Sequence, residues 1–213
     1  MRIAVPLLAL PLLLAVPLLA QMPTTAPGAK DAARVTGGTY QADPHHTLVG
    51  WRLNHLGFND YFGIFGDVTG TLTIDPKAPA EAKLDITIPI ASVTVASAGL
   101  KDHLLRAPAE SGAKPDFFGA NPQPARFVST SVVVDEDGDE AKVTGNLTLN
   151  GVTKPVTLDV DFTGAGPSPM GNVETIGFEA EAAIKRSDFG LGFGVPLVGD
   201  EVKLEITAAF EKK

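Results

Sequence analysis

The chain has 213 residues, a length that favours a single domain. Apolar residues make up 44% of it and charged residues 20%, which is typical of a folded globular protein and excludes wholesale disorder. The net charge of −8 supplies no basic face for a nucleic acid, and a chain without cysteine forms neither a disulfide nor a thiolate metal site.

The amino terminus has the features of a secretory signal peptide. Arg2 precedes a run of Leu, Ala, Val, Ile and Pro that ends at Ala20, a small residue suited to cleavage. The prolines in the run remove helix hydrogen bonds, which disfavours a membrane-spanning helix, although an uncleaved anchor is the alternative. We therefore predict a cleaved signal peptide over residues 1–20, a flexible leader over 21–37 and one folded domain over 38–213.

Alternation of apolar and polar residues dominates the rest of the chain and indicates strands with one buried face. The alternating segments are 49–55, 64–74, 84–90, 127–135, 143–149, 156–162, 178–185 and 202–211. Parallel strands that are buried on both faces do not alternate in this way, so the pattern predicts about eight antiparallel strands. Such strands can close into a barrel whose interior either packs solid or holds one elongated ligand.

Two local signals add detail to this barrel. Asn150-Gly151 lies between two alternating segments and is typical of a two-residue hairpin turn. Residues 92–106 interrupt the alternation with a short helical stretch that ends near Leu105, and residues 107–114 follow as a loop. A helical insertion of this kind in an antiparallel barrel commonly lies over one end or one flank.

The sequence gives little support to catalysis or metal binding. It has no G-x-S-x-G motif and no cysteine nucleophile. His46 and His55 lie too far apart along one strand to share an ion. The glycine-rich stretch 190–194 is followed by Pro196, which prevents the helix that a phosphate-binding loop requires, so we interpret it as a loop at the barrel mouth. We predict no catalytic residue, no metal site and no cofactor other than a bound lipid.

Phenylalanine is the residue type that stands out, with 11 copies. They cluster just after His55, around the helical insertion and in the glycine-rich stretch. Such residues either fill a core or line an apolar tunnel for a long hydrocarbon, and the sequence alone does not separate these two interpretations.

Several short motifs follow one another between Tyr40 and the carboxyl end. They are Y-Q-A-D-P-H-H-T at 40–47, K-D-H-L at 101–104, D-F-F at 116–118, G-N-L-T-L-N-G-V-T-K-P-V at 145–156 and R-S-D-F-G at 186–190. In this order they resemble the YceI-like family of bacterial exported proteins, also called the polyisoprenoid-binding, lipocalin-like family. The resemblance implies an all-β fold, an eight-stranded antiparallel lipocalin-like barrel with a short helical insertion. It also implies export to the periplasm, and it carries no established catalytic activity.

The resemblance and the aromatic clusters together suggest which residues contact a ligand. The predicted ligand-binding residues are Trp51, Leu53, His55, Phe62, Phe65, Phe117, Phe118, Phe127, Arg186, Phe189 and Phe193. Arg186, together with Asp188, either holds the barrel end in shape or contacts a pyrophosphate or quinone head group. The linker 105–115 is longer than in the family pattern; it either gates the barrel mouth or is a neutral surface insertion.

These features predict an exported binding protein that holds a long isoprenoid or other amphiphilic lipid for transport or storage. The lipid would be of the polyprenyl phosphate, quinone or fatty amide class. The alternative is an enzyme, or a redox or stress accessory, that acts on a lipid-borne head group at the barrel mouth. The expected partner is the lipid itself, with transient membrane contact and no nucleic acid; a homodimer is left open.

Overall fold

The computed structural model describes residues 24–213, so the predicted signal peptide lies outside the described residues. Within them, ten strands form one antiparallel sheet. The strands are β1 (Gly38–Ala42), β2 (Leu48–His55), β3 (Asn59–Phe65), β4 (Thr69–Ile74), β5 (Lys83–Ile88), β6 (Ala125–Val134), β7 (Glu140–Leu149), β8 (Val152–Pro167), β9 (Glu174–Lys185) and β10 (Glu201–Lys212). The helices are α1 (Ala98–Leu104) and short 3-10 turns at Ala32–Arg34, Pro79–Glu81, Ile90–Ser92 and Arg186–Phe189.

The sheet closes on itself through eight of its strands. Their order is β1-β4-β5-β6-β7-β8-β9-β10, and β10 returns to pair with β1. The predicted eight-stranded antiparallel barrel with a short helix is therefore confirmed. The remaining strands, β2 and β3, form a two-stranded ribbon that is attached to β10 next to β1. β10 thus pairs with β1 over residues 210–212 and with β2 over residues 203–207.

The alternating sequence pattern determines which side chains face the interior. On β7, Val143, Leu147 and Leu149 are buried, while the hydroxyl groups of Thr144 and Thr157 lie 2.9 Å apart on the other face. The turn between β7 and β8 uses Asn150 and Gly151, both with positive φ angles of 51° and 75°. Two positive φ values are what a type I′ hairpin turn requires, so this turn signal is confirmed.

The predicted strand over residues 64–74 is wrong, because the chain bends between β3 and β4. Asp67 has a φ of 53°, which no strand residue adopts. The hydroxyl group of Ser92, from the insertion, holds the bend: it accepts a hydrogen bond from the amide of Gly66 at 3.1 Å and donates to the Gly66 carbonyl at 2.9 Å.

The two ends of the barrel differ in how they are covered. At the closed end, the insertion 89–124 and the loop 186–200 pack together, and Leu104, Phe189 and Leu191 are buried there. At the open end lie the β4–β5, β6–β7 and β8–β9 turns, covering residues 75–82, 135–139 and 168–173. α1 belongs to the closed end, where the Ser97 side chain accepts a hydrogen bond from the Leu100 amide. Among the described residues, no helix has the length and apolar character needed to span a membrane.

Residues 27–36, named the strap here, make defined contacts at the open end. Ala29 and Ala165 of β8 exchange backbone hydrogen bonds of 3.1 and 2.9 Å. The Thr36 amide donates to Glu174 at 2.7 Å. Residues 27–36 therefore make fixed contacts, whereas a flexible leader was predicted over residues 21–37. The physical reason is that β8 extends beyond the start of β7, which leaves a strand edge free to pair with Ala29.

Candidate ligand-binding cavity

The barrel encloses a cavity of about 610 Å³. Its wall consists almost entirely of apolar side chains that point inward from the strands. The lining strand residues include Val49, Leu72, Leu84, Ile86, Ile88, Phe127, Val143, Leu147, Val156, Leu158, Val160, Phe162, Ile176, Phe178, Ala180, Leu204, Ile206, Ala208 and Phe210. The volume lies within the range of small-molecule sites in proteins.

The cavity explains why many inward-facing residues are only partly buried. Leu84, Ile88, Phe178 and Ile206 belong to the apolar core, yet each retains accessible surface because it borders the cavity. A solidly packed core leaves few voids larger than a water molecule. The interior can therefore accept an apolar chain without moving the strands, and the burial of that chain stabilises the complex by about 25 cal/mol per Å² of apolar surface.

Charged residues line the cavity only where it reaches the open end. Lys77, Asp139 and Glu140 are the charged side chains of the described lining, and all three belong to turns or strand ends at that edge. Lys30 of the strap lies 3.2 Å from Asp139, so these two charges are paired. An amphiphile would therefore place its chain in the barrel and its polar head at the open end.

A cluster of polar groups fastens the strap beside this opening. Glu174 accepts hydrogen bonds from the amide and hydroxyl of Thr36, at 2.7 and 2.5 Å, and from the hydroxyl of Tyr40 at 2.5 Å. The amino group of Lys212 lies 3.7 Å from Glu174 and also donates to the Thr36 hydroxyl. Tyr40 is fully buried and begins the barrel seam with β10.

The same contacts shift two pKa values in opposite directions. Burial, together with the neighbouring Glu174, raises the pKa of Tyr40 to about 12. Burial alone would raise the pKa of Glu174, but the hydrogen bonds from Thr36 and Tyr40 and the charge of Lys212 outweigh it and hold that pKa below its usual value. At any pH between the pKa of Glu174 and the pKa of Tyr40, the tyrosine is therefore neutral and the carboxylate is charged.

Among the predicted ligand-binding residues, only Phe127 lines the cavity in the described structure. Six of the others lie together at the closed end. They are Phe65, Phe117, Phe118, Arg186, Phe189 and Phe193. Phe65 contacts Phe118 edge-on, with ring centroids 6.1 Å apart, and Phe117 contacts Phe193 at 5.5 Å. The prediction that these residues line the interior is corrected: the insertion and the loop 186–200 fold onto each other and use these rings to cover the barrel end.

Arg186 is a buried structural residue, with 4% of its surface exposed. Its guanidinium group donates hydrogen bonds to the carbonyl oxygens of Gly199 and Val198, each at 2.8 Å, and to that of Leu191. Asp188 is not its partner; Asp200 instead accepts hydrogen bonds from Ser187 at 2.9 and 2.7 Å. With its donors directed at three loop carbonyls, Arg186 holds the closed end in shape rather than facing a ligand.

The other predicted residues lie on the β2–β3 ribbon. Trp51 packs partly against the core, over Gly63, and a Cβ at that glycine would fall 2.2 Å from the indole ring. Leu53 pairs with Tyr61 in the ribbon, and His55 stacks on the same tyrosine at 4.5 Å. Phe62 is 64% exposed. These side chains are outside the cavity because β2 and β3 leave the closed ring.

The residues that form the cavity were present in the sequence as the apolar face of the alternating strands. Leu158, Ile176 and Ile206 carry no motif, and only their period-two positions mark them. The phenylalanine clusters and the family motifs instead predicted residues that mostly lie at the closed end. Ala32, Ala33 and Val35 of the strap also line the cavity, and no signal in the sequence distinguishes them from other small residues.

The histidines have local partners. His46 lies 2.5 Å from Asp43, and His103 lies 2.8 Å from Asp116. Within residues 24–213, no group of three or more metal-ligating side chains comes together. His103 and Arg186 lie at the closed end, and none of His46, His103 and Arg186 lines the cavity. These three residues therefore do not come together at the mouth as a site that could act on a lipid-borne head group.

A closed antiparallel barrel with an apolar cavity open at one end places the protein in the class of small β-barrels whose interior has room for a hydrophobic molecule. A family model of the YceI-like domain matches residues 40–210. Protein YceI of Shigella flexneri is 42% identical over 163 residues, which cover 76% of this chain and 80% of the relative. The chain therefore belongs to the YceI-like family.

Solved structures agree with this assignment. BcnA of Burkholderia cenocepacia superimposes with a TM-score of 0.64 and 26% identity, covering 79% of this chain and 98% of BcnA. A polyisoprenoid binding domain from Saccharophagus degradans superimposes with a TM-score of 0.58, covering 82% of this chain and 98% of that domain. At 15% identity the second match supports the fold alone.

Replacement of Arg186 tests its structural role. We expect Arg186→Met to lower the free energy of unfolding by about 3 kcal/mol, because it removes the hydrogen bonds to three loop carbonyls in a buried site. Denaturant unfolding measures the change. Folded Arg186→Met protein should still carry as much lipid as the unaltered protein; a selective loss of lipid at unchanged stability would instead make Arg186 a ligand contact.

Acidification should weaken the Glu174 cluster. A carboxylate with a lowered folded pKa adds stability that is fully present above its unfolded value, near 4.5, and is lost as the pH falls through the folded pKa. We expect the unfolding free energy to fall below about pH 4.5, and Glu174→Gln to be less stable at pH 7 but less sensitive to acid. Denaturant unfolding between pH 7 and pH 3 compares the two proteins, and parallel pH curves would contradict the assignment.

Proposed function

We propose that this protein binds one long isoprenoid, or a similar amphiphilic lipid, inside its barrel and serves its transport or storage. The observation that carries the proposal is the apolar cavity of about 610 Å³ with charged residues only at its open end. Family membership supports it, and so does the likeness of the fold to a polyisoprenoid binding domain. Binding of this kind needs no reacting side chain, so we propose a binding protein rather than an enzyme.

The charges at the open end favour an uncharged head group. Asp139 and Glu140 face the opening together with Lys77, and the chain as a whole carries a net charge of −8. Lys30 is already paired with Asp139. With Asp139 paired, a phosphate at this position would meet Glu140 and Lys77 and no excess of positive charge to bind it, whereas a quinone or an amide needs none. We therefore place a neutral-headed isoprenoid first among the lipid classes and a polyprenyl phosphate second.

The proposed place of action is the periplasm, which rests on the signal peptide pattern of residues 1–20 and on the family. The protein would receive its lipid from a membrane by transient contact. Cell fractionation followed by mass spectrometry of the intact protein should find a periplasmic form whose amino terminus is Gln21. A full-length form that stays with the membrane fraction would show an uncleaved anchor.

Solvent extraction tests binding directly. Protein purified without detergent should release a hydrophobic compound into organic solvent, and mass spectrometry should identify it as a neutral-headed isoprenoid. Repeated preparations that contain no such compound, and that take up neither an octaprenyl quinone nor an octaprenyl phosphate in vitro, would refute the proposal. Uptake of the phosphate in preference to the quinone would reverse the order of the two classes.

A pair of matched variants tests whether the lipid lies in the cavity. Ala208 lines the cavity from β10, whereas Ala183 is exposed on the outer face of β9. We expect Ala208→Phe to reduce the bound lipid strongly, because the added ring occupies the space of the chain, and Ala183→Phe to leave it unchanged. Quantitative mass spectrometry of extracted lipid compares them, with thermal unfolding as the control for folding. Equal lipid content in both variants would place the ligand elsewhere.

A further inference from the structure

We infer that the strap, residues 27–36, is part of the ligand site, where it contacts a neutral-headed isoprenoid at the open end and controls how fast it leaves. This inference rests on the proposed function and adds a segment that precedes the family match, which begins at residue 40. Its basis is the position of the strap over the opening and the way in which it is attached.

The middle of the strap forms part of the cavity wall. Ala32, Ala33 and Val35 line the cavity together with Pro76 and Pro79 of the β4–β5 turn. All of these positions lie at the open end, opposite Val68 and Ile88, which line the cavity near the closed end. A chain that extends along the barrel therefore meets the strap where it emerges, and small apolar side chains give the strap an apolar inner surface.

The first attachment of the strap depends on glycine. Ala29 exchanges two backbone hydrogen bonds with Ala165 at the free edge of β8. A Cβ at Gly166 would fall 2.3 Å from the carbonyl oxygen of Pro27, and a Cβ at Gly164 would fall 3.1 Å from the backbone of Ala29. A side chain at Gly166 is thus incompatible with the strap in its present place, and one at Gly164 would be in tight contact with Ala29.

The other attachments are polar. Lys30 is paired with Asp139 of the β6–β7 turn at 3.2 Å, and Thr36 is held by Glu174 of β9. The strap is thus fixed at both ends to the adjacent strands β8 and β9, while Ala32–Arg34 between them lies over the opening. Its contacts with the barrel are mainly hydrogen bonds and exposed ion pairs, with no buried residue in the turn itself. Such a segment can detach while the barrel stays folded.

The test measures the transfer of an octaprenyl quinone from the loaded full chain to phosphatidylcholine vesicles, with mass spectrometry of the separated vesicles over time. Gly166→Ala should raise the transfer rate by about tenfold, because loss of one or two hydrogen bonds to the strap has that effect on a rate. The matched control is Gly192→Ala at the closed end, where a Cβ meets nothing closer than 3.9 Å, and it should transfer at the unaltered rate.

A disulfide provides the opposite change and remains informative if Gly166→Ala does not fold. The protein has no cysteine, so Ala29→Cys combined with Ala165→Cys introduces one defined pair. Residues that exchange both backbone hydrogen bonds have Cα atoms about 5.5 Å apart, within the range that a disulfide spans. The oxidised double variant should release the quinone about tenfold more slowly than the same protein after reduction.

The outcomes separate this inference from the proposed function. If the unaltered protein takes up no quinone and no other isoprenoid, the proposed function fails and this inference fails with it. If it takes up quinone, but oxidised and reduced double variants release it at the same rate, only the strap inference is overturned. Slower release from the oxidised than from the reduced double variant, with the control unchanged, establishes the strap as part of the site, and faster release from folded Gly166→Ala agrees with it.

Discussion

The seam between β1 and β10 is the contact on which the cavity depends. Tyr40, Gln41 and Ala42 pair across it with residues 210–212, and backbone hydrogen bonds from Asp43 to Ala209 and from Lys213 to Thr39 flank these pairs. Without this pairing the barrel would open between β1 and β10, and the apolar lining would face water. Tyr40 is fully buried at the seam, and its hydroxyl group lies within hydrogen-bond distance of Glu174 of β9 and of the Thr36 carbonyl of the strap. Tyr40 and its seam partner Lys212 therefore both connect the closed ring to the strap.

β10 also explains why the closed ring has eight strands although the sheet has ten. Its carboxyl-terminal part pairs with β1, and its preceding part pairs with β2. The residues between β1 and β2 include Thr47, which is buried and exchanges hydrogen bonds of 3.1 and 3.2 Å with the backbone of Ala209. This contact takes the place of ladder hydrogen bonds where the partner changes. The ribbon of β2 and β3 leaves the ring at this point.

The fold was accessible from the sequence because each strand has a strong local signal. Alternation along Val143–Leu149 or Val202–Phe210 specifies both the strand and its inward face, and the turn at Asn150 specifies the register. β1 was not predicted as a strand, because five residues with two buried side chains give a weak pattern. The break at Asp67 was also missed, because it depends on Ser92, a residue distant in the sequence. Contacts of that kind have no local signature.

The site was harder to predict than the fold, for a physical reason. An apolar residue that faces a cavity and one that packs in a core have the same pattern, so the sequence shows an inward face without showing what fills it. The aromatic residues were predicted to contact a ligand. Large rings also cover a barrel end, and this is where Phe117, Phe118 and Phe189 lie. The aliphatic residues Leu84, Ile86 and Leu158 leave space between opposite strands.

The two ends of the barrel therefore have different physical characters. The closed end is held by aromatic contacts and by Arg186, whose loss would remove the guanidinium donors of three loop carbonyls. The strap at the open end is held by a two-hydrogen-bond bridge and an exposed ion pair, contacts worth about 1 kcal/mol or less each, in addition to the Glu174 cluster. Local opening occurs where the least buried surface must be exposed. Exchange of a ligand through the open end therefore leaves the seam, the strands and the closed end intact.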